Sequence, residues 1–312
     1  MDKQYVYAPV VLFTFNRPHY TREILDNLNG LEEATETRLF IFSDEAKLDK
    51  DIVRVKEVRN VISDFVENRS KFEAVYLTYA EQNQGLACSI INGVSKIIKE
   101  YGKVIVLEDD LVVSQDFLSY MNEALEFYKD VTGVWAISGY TFPMDVLNKY
   151  PYDIYLSGRG CSWGWATWED RWETIDWQVK DYNSIKYNVK KRMSFAQWGR
   201  DLPTMLDAYM NGTIRSWAIR WCYSAFKQEK YTVYPKYSRV LNRGTDGSGT
   251  NFTHVEQKYN TELYSGRSSC KFGFIEADDN IRKEFAKKYL TNIQYLKAEV
   301  RWLLVKLGMI KR

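Results

Sequence analysis

The chain has 312 residues, of which 45% are hydrophobic and 27% are charged, a composition typical of a folded protein with a substantial core. The net charge of +2 predicts no nucleic-acid partner, and four scattered cysteines without CxxC or metal spacing predict free thiols in a reducing compartment. No run approaches the ~18 apolar residues of a membrane span, and the N-terminus lacks the apolar region of a secretory signal. We therefore expect a cytoplasmic protein.

Apolar runs and helical periodicity alternate along the first 140 residues. Strands are predicted at 6–15, 38–43, 73–79, 103–107 and 134–138, and helices at 18–28, 51–68, 84–98 and after Ser114. Because helices alternate with strands, the pattern is βαβαβαβ. This order predicts an α/β fold with a mainly parallel sheet and helices on both of its faces.

The composition changes after about residue 140. Five tryptophans fall within residues 163–177, and this Trp-rich segment precedes a predicted helical region at 203–230 and a strand-like run at 231–241. Residues 243–250 contain three glycines and are predicted to form a loop. Since no linker or repeat separates the two halves, we expect the second half to be a substrate-binding extension of the same fold.

Residues 285–312 are predicted to form a C-terminal helix. Apolar residues recur at i, i+3 and i+4 spacing (Ile293, Leu296, Val300, Leu303, Leu304, Leu307), and basic residues accompany them (Lys297, Arg301, Lys306, Lys311, Arg312). A basic amphipathic helix can lie on an anionic membrane surface. A helix docked on the protein body accounts for the same pattern, so both interpretations stay open.

Residues 103–113 carry the clearest chemical signal. The apolar run Val104–Leu107 is typical of a buried central strand, and it ends in Glu108, Asp109 and Asp110. Open α/β sheets bind ligands at the carboxyl ends of their strands. Three acids packed at such an end need a compensating positive charge, which a divalent metal carrying a diphosphate would supply. Mg²⁺ and Mn²⁺ take carboxylate and phosphate oxygens, and one or two protein carboxylates suffice.

Other polar features follow predicted strands and are expected at the same edge: Asn16-Arg17, Ser43-Asp44 and Gln82-Asn83-Gln84-Gly85. Asp44 could accept hydrogen bonds from a base or ribose, and Arg17 could contact the nucleotide. The glycine-rich loop at 244–249 lacks the Gly-Lys-Ser/Thr ending of a P-loop and is better suited to a mobile lid over a donor. No GxGxxG follows the first strand, which argues against a dinucleotide-dependent dehydrogenase.

In combination, these stretches resemble the GT-A-fold glycosyltransferases. The resemblance rests on Pro9–Pro18, Asn83–Ile90, Val104–Leu111 with Asp116-Phe117, Gly164–Trp168 and Trp217–Trp221, and it covers roughly residues 8–252. It is closest to bacterial family-2-like enzymes of surface-polysaccharide synthesis, and the N-acetylglucosaminyltransferase I group is more distantly similar. The resemblance implies a nucleotide-sugar-binding half at 1–140, an acceptor and donor-sugar half of the same domain at 141–255, and a helical tail at 256–312.

The resemblance also implies roles for single residues. Asp110 would be the ligand of Mn²⁺ or Mg²⁺, and the nucleotide sugar would be bound by Arg17, Asp44, Gln84, Glu108, Asp109 and Trp165. The reaction would be an inverting transfer, in which a general base deprotonates an acceptor hydroxyl that attacks the anomeric carbon. The acceptor would be a glycan or a lipid-linked oligosaccharide.

The general base is not at the position that relatives use. Many of them carry an acid directly after the tryptophan matching Trp217, whereas this chain has Ala218 there. The candidate bases are Asp170 in the Trp-rich segment and Asp246 in the glycine-rich loop, with His254 as a third option. Two other functions stay open: a sugar-phosphate nucleotidyltransferase, which usually needs a Gly-rich basic loop after the first strand, and a non-catalytic carbohydrate-binding relative, which would fit Ala218.

Overall fold

The centre of the molecule is an eight-stranded sheet in a computed structural model that describes residues 7–245, 259, 261–266, 269–306 and 309. The strands are β1 Val10–Thr14, β2 Arg38–Ser43, β3 Ala74–Tyr79, β4 Lys103–Glu108, β5 Leu111–Val113, β6 Val134–Ser138, β7 Ile154–Ser157, β8 Trp165–Trp168, β9 Tyr231–Pro235 and β10 Val240–Asn242. The sheet order is β3-β2-β1-β4-β8-β6-β9-β7, and β5 pairs with β10 in a separate ribbon.

Helices cover both faces of this sheet. They are α1 Pro18–Asn29, α2 Asp49–Asn68, α3 Leu86–Tyr101, α4 Phe117–Tyr128, α5 Glu169–Trp172, α6 Asn183–Lys186, α7 Val189–Phe195, α8 Leu202–Met210, α9 Trp217–Lys227, α10 Asp279–Tyr289 and α11 Asn292–Lys306. Alternate residues of a strand point to opposite faces. Thus Val10 and Leu12 of β1 join the core formed with α1, α2 and α4, while Val11 and Phe13 join the core formed with α3 and α9.

The predicted fold class is confirmed. Strands β3, β2, β1 and β4 are parallel neighbours, as βαβ units require, and the mainly parallel sheet flanked by helices is a GT-A-type α/β architecture. The sequence prediction missed β7 and β8. Strand β8 runs antiparallel between β4 and β6, so both halves of the chain contribute to one sheet.

Several predicted elements of the second half are divided in the structure. The helical region at 203–230 becomes α8 and α9, because the chain turns at Gly212, whose φ is 80°. The strand-like run at 231–241 stops at Pro235, which has no N–H to continue a ladder. The C-terminal helix is α10 and α11, separated at Leu290, which is extended with φ −141° and ψ 140°. Among the described residues, no helix has the length and hydrophobicity to cross a membrane.

Candidate functional site

The carboxyl ends of β1, β2 and β4 lie level at one edge of the sheet. Phe13 of β1 is in register with Phe42 of β2 and with Glu108 of β4. The loops that leave these strands therefore begin side by side. A hydrogen bond joins two of them, since the backbone N–H of Phe15 donates to Oδ2 of Asp109 at 3.2 Å. The structure thus brings together the strand-end features that the sequence places far apart.

Three carboxyl groups at this edge form what we call the acidic cluster, Glu108, Asp109 and Asp110. Arg17, the N-cap residue of α1, is its counter-ion: Nη1 lies 2.5 Å from Oδ2 of Asp110 and 4.0 Å from Oδ1 of Asp109. Within the described ranges, no other lysine or arginine lies within ion-pair distance of the cluster. One guanidinium opposite three carboxyl groups leaves the cluster negatively charged when all three are ionised.

Burial and mutual repulsion oppose that ionisation. The pKa of Asp109 is raised to about 7, first by burial and then by Asp110, although Arg17 and the Phe15 N–H act in the opposite direction. The pKa of Glu108 is raised well above its usual range, first by burial and then by Asp110 and Asp109. Perturbed acids grouped at the ligand-binding edge of a sheet are typical of a functional site. Binding of a further cation would stabilise their ionised forms.

The wall beside Asp110 comes from the end of β10 and the first residues of the glycine-rich loop. The backbone N–H of Arg243 donates to the carbonyl oxygen of Asp110 at 2.7 Å, and the N–H of Gly244 donates to Oδ1 of Asn242 at 2.7 Å. A Cβ atom at Gly244 would lie 2.1 Å from Oδ2 of Asp110, so a side chain there would displace the carboxylate. The loop predicted to be a lid therefore starts in contact with the acidic cluster. Its candidate base Asp246 lies outside the described residues.

Asp44 organises the turn that leads into α3. Its Oδ1 accepts hydrogen bonds from the N–H groups of Glu45 and Gln84, both at 2.9 Å. Its Oδ2 accepts from Nδ2 of Asn83 at 3.1 Å and from the N–H of Gly85 at 2.9 Å. Four donors occupy the lone pairs of this carboxylate. The group predicted to hold a nucleotide is thus engaged by the protein itself, whereas the side chain of Gln84 is exposed beside it.

The structure does not place Trp165, the predicted contact of a donor sugar, at the surface of the site. Trp165 is fully buried in β8, and its ring centroid lies 4.4 Å from that of Trp221 and 5.2 Å from that of Trp217. The aromatic surplus of this segment builds the core under the sheet. Trp163, in the same Trp-rich segment, is partly exposed and precedes Gly164.

Gly164 places the Trp163 turn at the edge of the site. A Cβ atom on Gly164 would lie 2.6 Å from Val240 of β10 and 3.3 Å from Leu107 of β4, and its φ is 62°. Only glycine combines this left-handed conformation with such close packing. Because Leu107 directly precedes the acidic cluster, Trp163 is the better candidate for a contact with a bound sugar.

Asp170 is not brought to the cluster. Trp168 of β8 is in register with Lys103, the first residue of β4, so Asp170 lies near the opposite edge of the sheet from Glu108. Five residue steps along β4 place these edges roughly 17 Å apart. The Asp170 side chain is 68% exposed and forms an ion pair with Arg171 at 2.6 Å. The structure therefore does not bring this predicted general base to the candidate site.

The acidic cluster fits Mn²⁺ or Mg²⁺ carried by a diphosphate better than a metal held by protein alone. Among the residues that the structure describes, no group of three histidine, cysteine or acidic side chains could hold a metal ion. Mg²⁺ usually takes only one or two protein carboxylates and completes its shell with phosphate oxygens and water. Asp110, whose side chain is 16% exposed, can provide one such carboxylate.

No family model matches the chain, and no curated protein matches it. Among solved structures, the crystal structure of S. aureus TarS is similar with 18% identity and a TM-score of 0.28, over 42% of this chain and 21% of that chain. The chain thus spans about a fifth of that protein's length.

Proposed function

We propose that this protein is an inverting, metal-dependent glycosyltransferase that transfers a sugar from a nucleotide-diphosphate sugar to a hydroxyl of a glycan or lipid-linked oligosaccharide. The observation that carries the proposal is the acidic cluster at the end of β4 with Arg17 as its counter-ion. A diphosphate would be repelled by these carboxylates unless a cation accompanied it. Mn²⁺ or Mg²⁺ bound to Asp110 would supply that charge and would stabilise the leaving diphosphate.

The protein's own residues would orient the donor. Arg17 lies within reach of any phosphate that approaches Asp110, and a guanidinium binds phosphate oxygens through paired hydrogen bonds. Glu108 and Asp109 would contact the ribose or donor sugar, and their raised pKa values mean that either can donate a proton in a hydrogen bond to a hydroxyl. Gln84 would contact the nucleotide from the turn that Asp44 holds.

In the proposed reaction, a bond forms between the acceptor oxygen and the anomeric carbon while the bond from that carbon to the diphosphate oxygen breaks. The proton of the acceptor hydroxyl passes to a general base. Ala218 lies in the first turn of α9, next to the buried tryptophans, and cannot be this base. Asp246 is our proposed base, because it lies two residues after Gly244 in the sequence, and Gly244 contacts Asp110. His254, which like Asp246 lies outside the described residues, is the second choice.

The test measures release of nucleotide diphosphate from a panel of sugar nucleotides with Mn²⁺ and a lipid-extracted or glycan acceptor. We expect release by the wild-type protein and a loss of a hundredfold or more in Asp110→Asn, a magnitude typical of removing one electrostatic stabiliser. Asp64→Asn, which changes a half-exposed acid on α2 away from the cluster, is the matched control. Full activity of Asp110→Asn refutes the metal assignment.

The same panel separates the other functions. Binding of sugars without release under any condition would favour the non-catalytic relative. Formation of pyrophosphate from a nucleoside triphosphate and a sugar phosphate would favour the nucleotidyltransferase. The cytoplasmic location and the place in surface-polysaccharide synthesis stay predictions, which localisation of the tagged protein and the glycan profile of a deletion strain would test.

A further inference from the structure

Helix α11 is fixed to the protein by its polar and aromatic side. Glu299 accepts hydrogen bonds from the guanidinium of Arg192 at 3.3 and 3.4 Å. Nε1 of Trp302 donates to the carbonyl oxygen of Lys186 at 3.1 Å, and the ring of Trp302 lies 4.4 Å from the Arg192 guanidinium. Nζ of Lys306 donates to the next carbonyl, that of Tyr187, at 3.2 Å. The docked side therefore follows the spacing 299, 302, 306, which is one helical face.

A second side of α11, next to the docked side, is apolar and faces outward. Ile293, Leu296, Val300 and Leu303 are 67%, 65%, 48% and 42% exposed. Their spacing of i, i+3, i+7 and i+10 makes a continuous stripe along the helix. An ordinary surface helix buries such a stripe in the core, whereas α11 leaves it exposed beside its docked side. A stripe of this kind marks an interaction surface rather than a packing surface.

The charges around the stripe indicate what covers it. Lys297 and Arg301, one turn apart and both exposed, lie beside the stripe, and among the described residues neither has a carboxylate within ion-pair distance. Glu299 is the one acid of α11, and it lies on the docked side, where it pairs with Arg192, which also pairs with Asp207. The outward surface of the helix is therefore apolar and cationic without negative charge. A second copy of the chain packed symmetrically on this stripe would bring the same cations together, which is unfavourable.

We infer that α11 is a membrane-surface anchor, with the stripe inserted among the acyl chains of an anionic lipid bilayer and Lys297 and Arg301 at its phosphate groups. Helices that lie in the membrane interface combine these two features, an apolar face and a cationic border. The rigid connection through Glu299 and Trp302 holds the body of the protein in one orientation on that surface. This inference does not depend on the proposed glycosyl transfer, since it concerns binding without donor or acceptor.

The test is sedimentation of the full-length protein with vesicles of phosphatidylcholine alone and of phosphatidylcholine mixed with phosphatidylglycerol. We expect binding to the anionic vesicles that weakens as salt increases. Leu296→Glu should reduce the partition coefficient about tenfold or more, because a charge enters the buried stripe. Lys297→Gln with Arg301→Gln should reduce it roughly thirtyfold, at about fivefold for each cation removed.

Val53→Glu is the matched control for Leu296→Glu, because Val53 on α2 is 66% exposed and Leu296 is 65% exposed. It should bind vesicles like the wild-type protein, and circular dichroism should show all variants folded. The inference is overturned if the wild-type protein does not sediment with anionic vesicles, or if it binds neutral vesicles equally well. It is also overturned if light scattering shows a dimer that Leu296→Glu dissociates, since a second copy would then cover the stripe.

Discussion

Replacement of Arg17 by glutamine separates two roles of its side chain, which are charge compensation of the acidic cluster and binding of the donor diphosphate. In the structure the Arg17 guanidinium lies 2.5 Å from Asp110 and 4.0 Å from Asp109, where it compensates part of the negative charge of the acidic cluster. A metal ion that binds Asp110 must compete with this guanidinium. We therefore predict that Arg17→Gln binds Mn²⁺ more tightly than the wild-type protein and yet transfers sugar more slowly, because the diphosphate loses its arginine.

The size of the first effect follows from the geometry. Two opposite unit charges 4 Å apart attract each other by about 4 kcal/mol at an effective dielectric constant of 20. This value does not include the cost of removing water from the two charges. The Arg17 and Asp110 side chains are 20% and 16% exposed, so water screens part of this interaction. A charged hydrogen bond of this kind contributes about 1.5–3 kcal/mol net. Removal of the competitor should therefore raise Mn²⁺ affinity roughly tenfold, since 1.4 kcal/mol is a factor of ten.

Electron paramagnetic resonance of free Mn²⁺ measures this affinity without donor or turnover. The titration is best done at pH 8, above the pKa of about 7 that burial gives Asp109. Arg22→Gln is the control, because Arg22 lies on the same helix and pairs with Asp64 at 3.6 Å, away from the cluster. Unchanged or weaker Mn²⁺ binding in Arg17→Gln, with Asp110→Asn still abolishing it, would refute the competition.

Three further predictions follow from the same geometry. Asp109→Asn should stabilise the protein at pH 8 by about 2 kcal/mol, or about 5 °C in Tm, and by little near pH 4. The folded pKa is raised to about 7, chiefly by burial, so ionisation of Asp109 costs stability as the pH rises from its unfolded pKa toward 7. Thermal unfolding at both pH values checks this, and an equal shift at both would contradict it. Gly244→Ala should weaken Mn²⁺ binding, since the added methyl would meet Asp110, whereas Gly133→Ala, which has open space around its Cβ, should not. Trp165→Phe should lower Tm by several degrees through lost core packing while the KM for a sugar nucleotide stays unchanged; a raised KM at unchanged Tm would restore Trp165 to the site.

The first half of the fold was predictable because its local signals agree with its global topology. Each strand there is a short apolar run, and each helix has one buried face, so that β2 and β6 match their predicted bounds of 38–43 and 134–138. The convergence of Arg17 with the acidic cluster was predictable as well, because parallel strands place their carboxyl ends at one edge.

The second half was less predictable, because tertiary packing determines it. Strand β8 has only four residues, all buried. Two of them are tryptophans, a residue found in ligand-binding surfaces as well as in cores. Nothing in the sequence spacing indicates that Gly244 contacts Asp110 or that Asp44 is occupied by the turn at 83–85, since these contacts join distant segments. The spacing of apolar residues also identifies the stripe of α11, but it does not show whether the stripe faces the protein or the solvent. The contacts of Glu299 and Trp302 determine that orientation.

The position of β8 has a consequence for how the chain folds during synthesis. Val104 of β4 pairs with Thr167 of β8, so one edge of the central strand has no partner until that later segment has left the ribosome. An exposed apolar strand edge is a template for pairing with other chains. A fragment that ends near residue 140 should therefore aggregate, and the nascent chain should depend on chaperones until β8 closes the sheet.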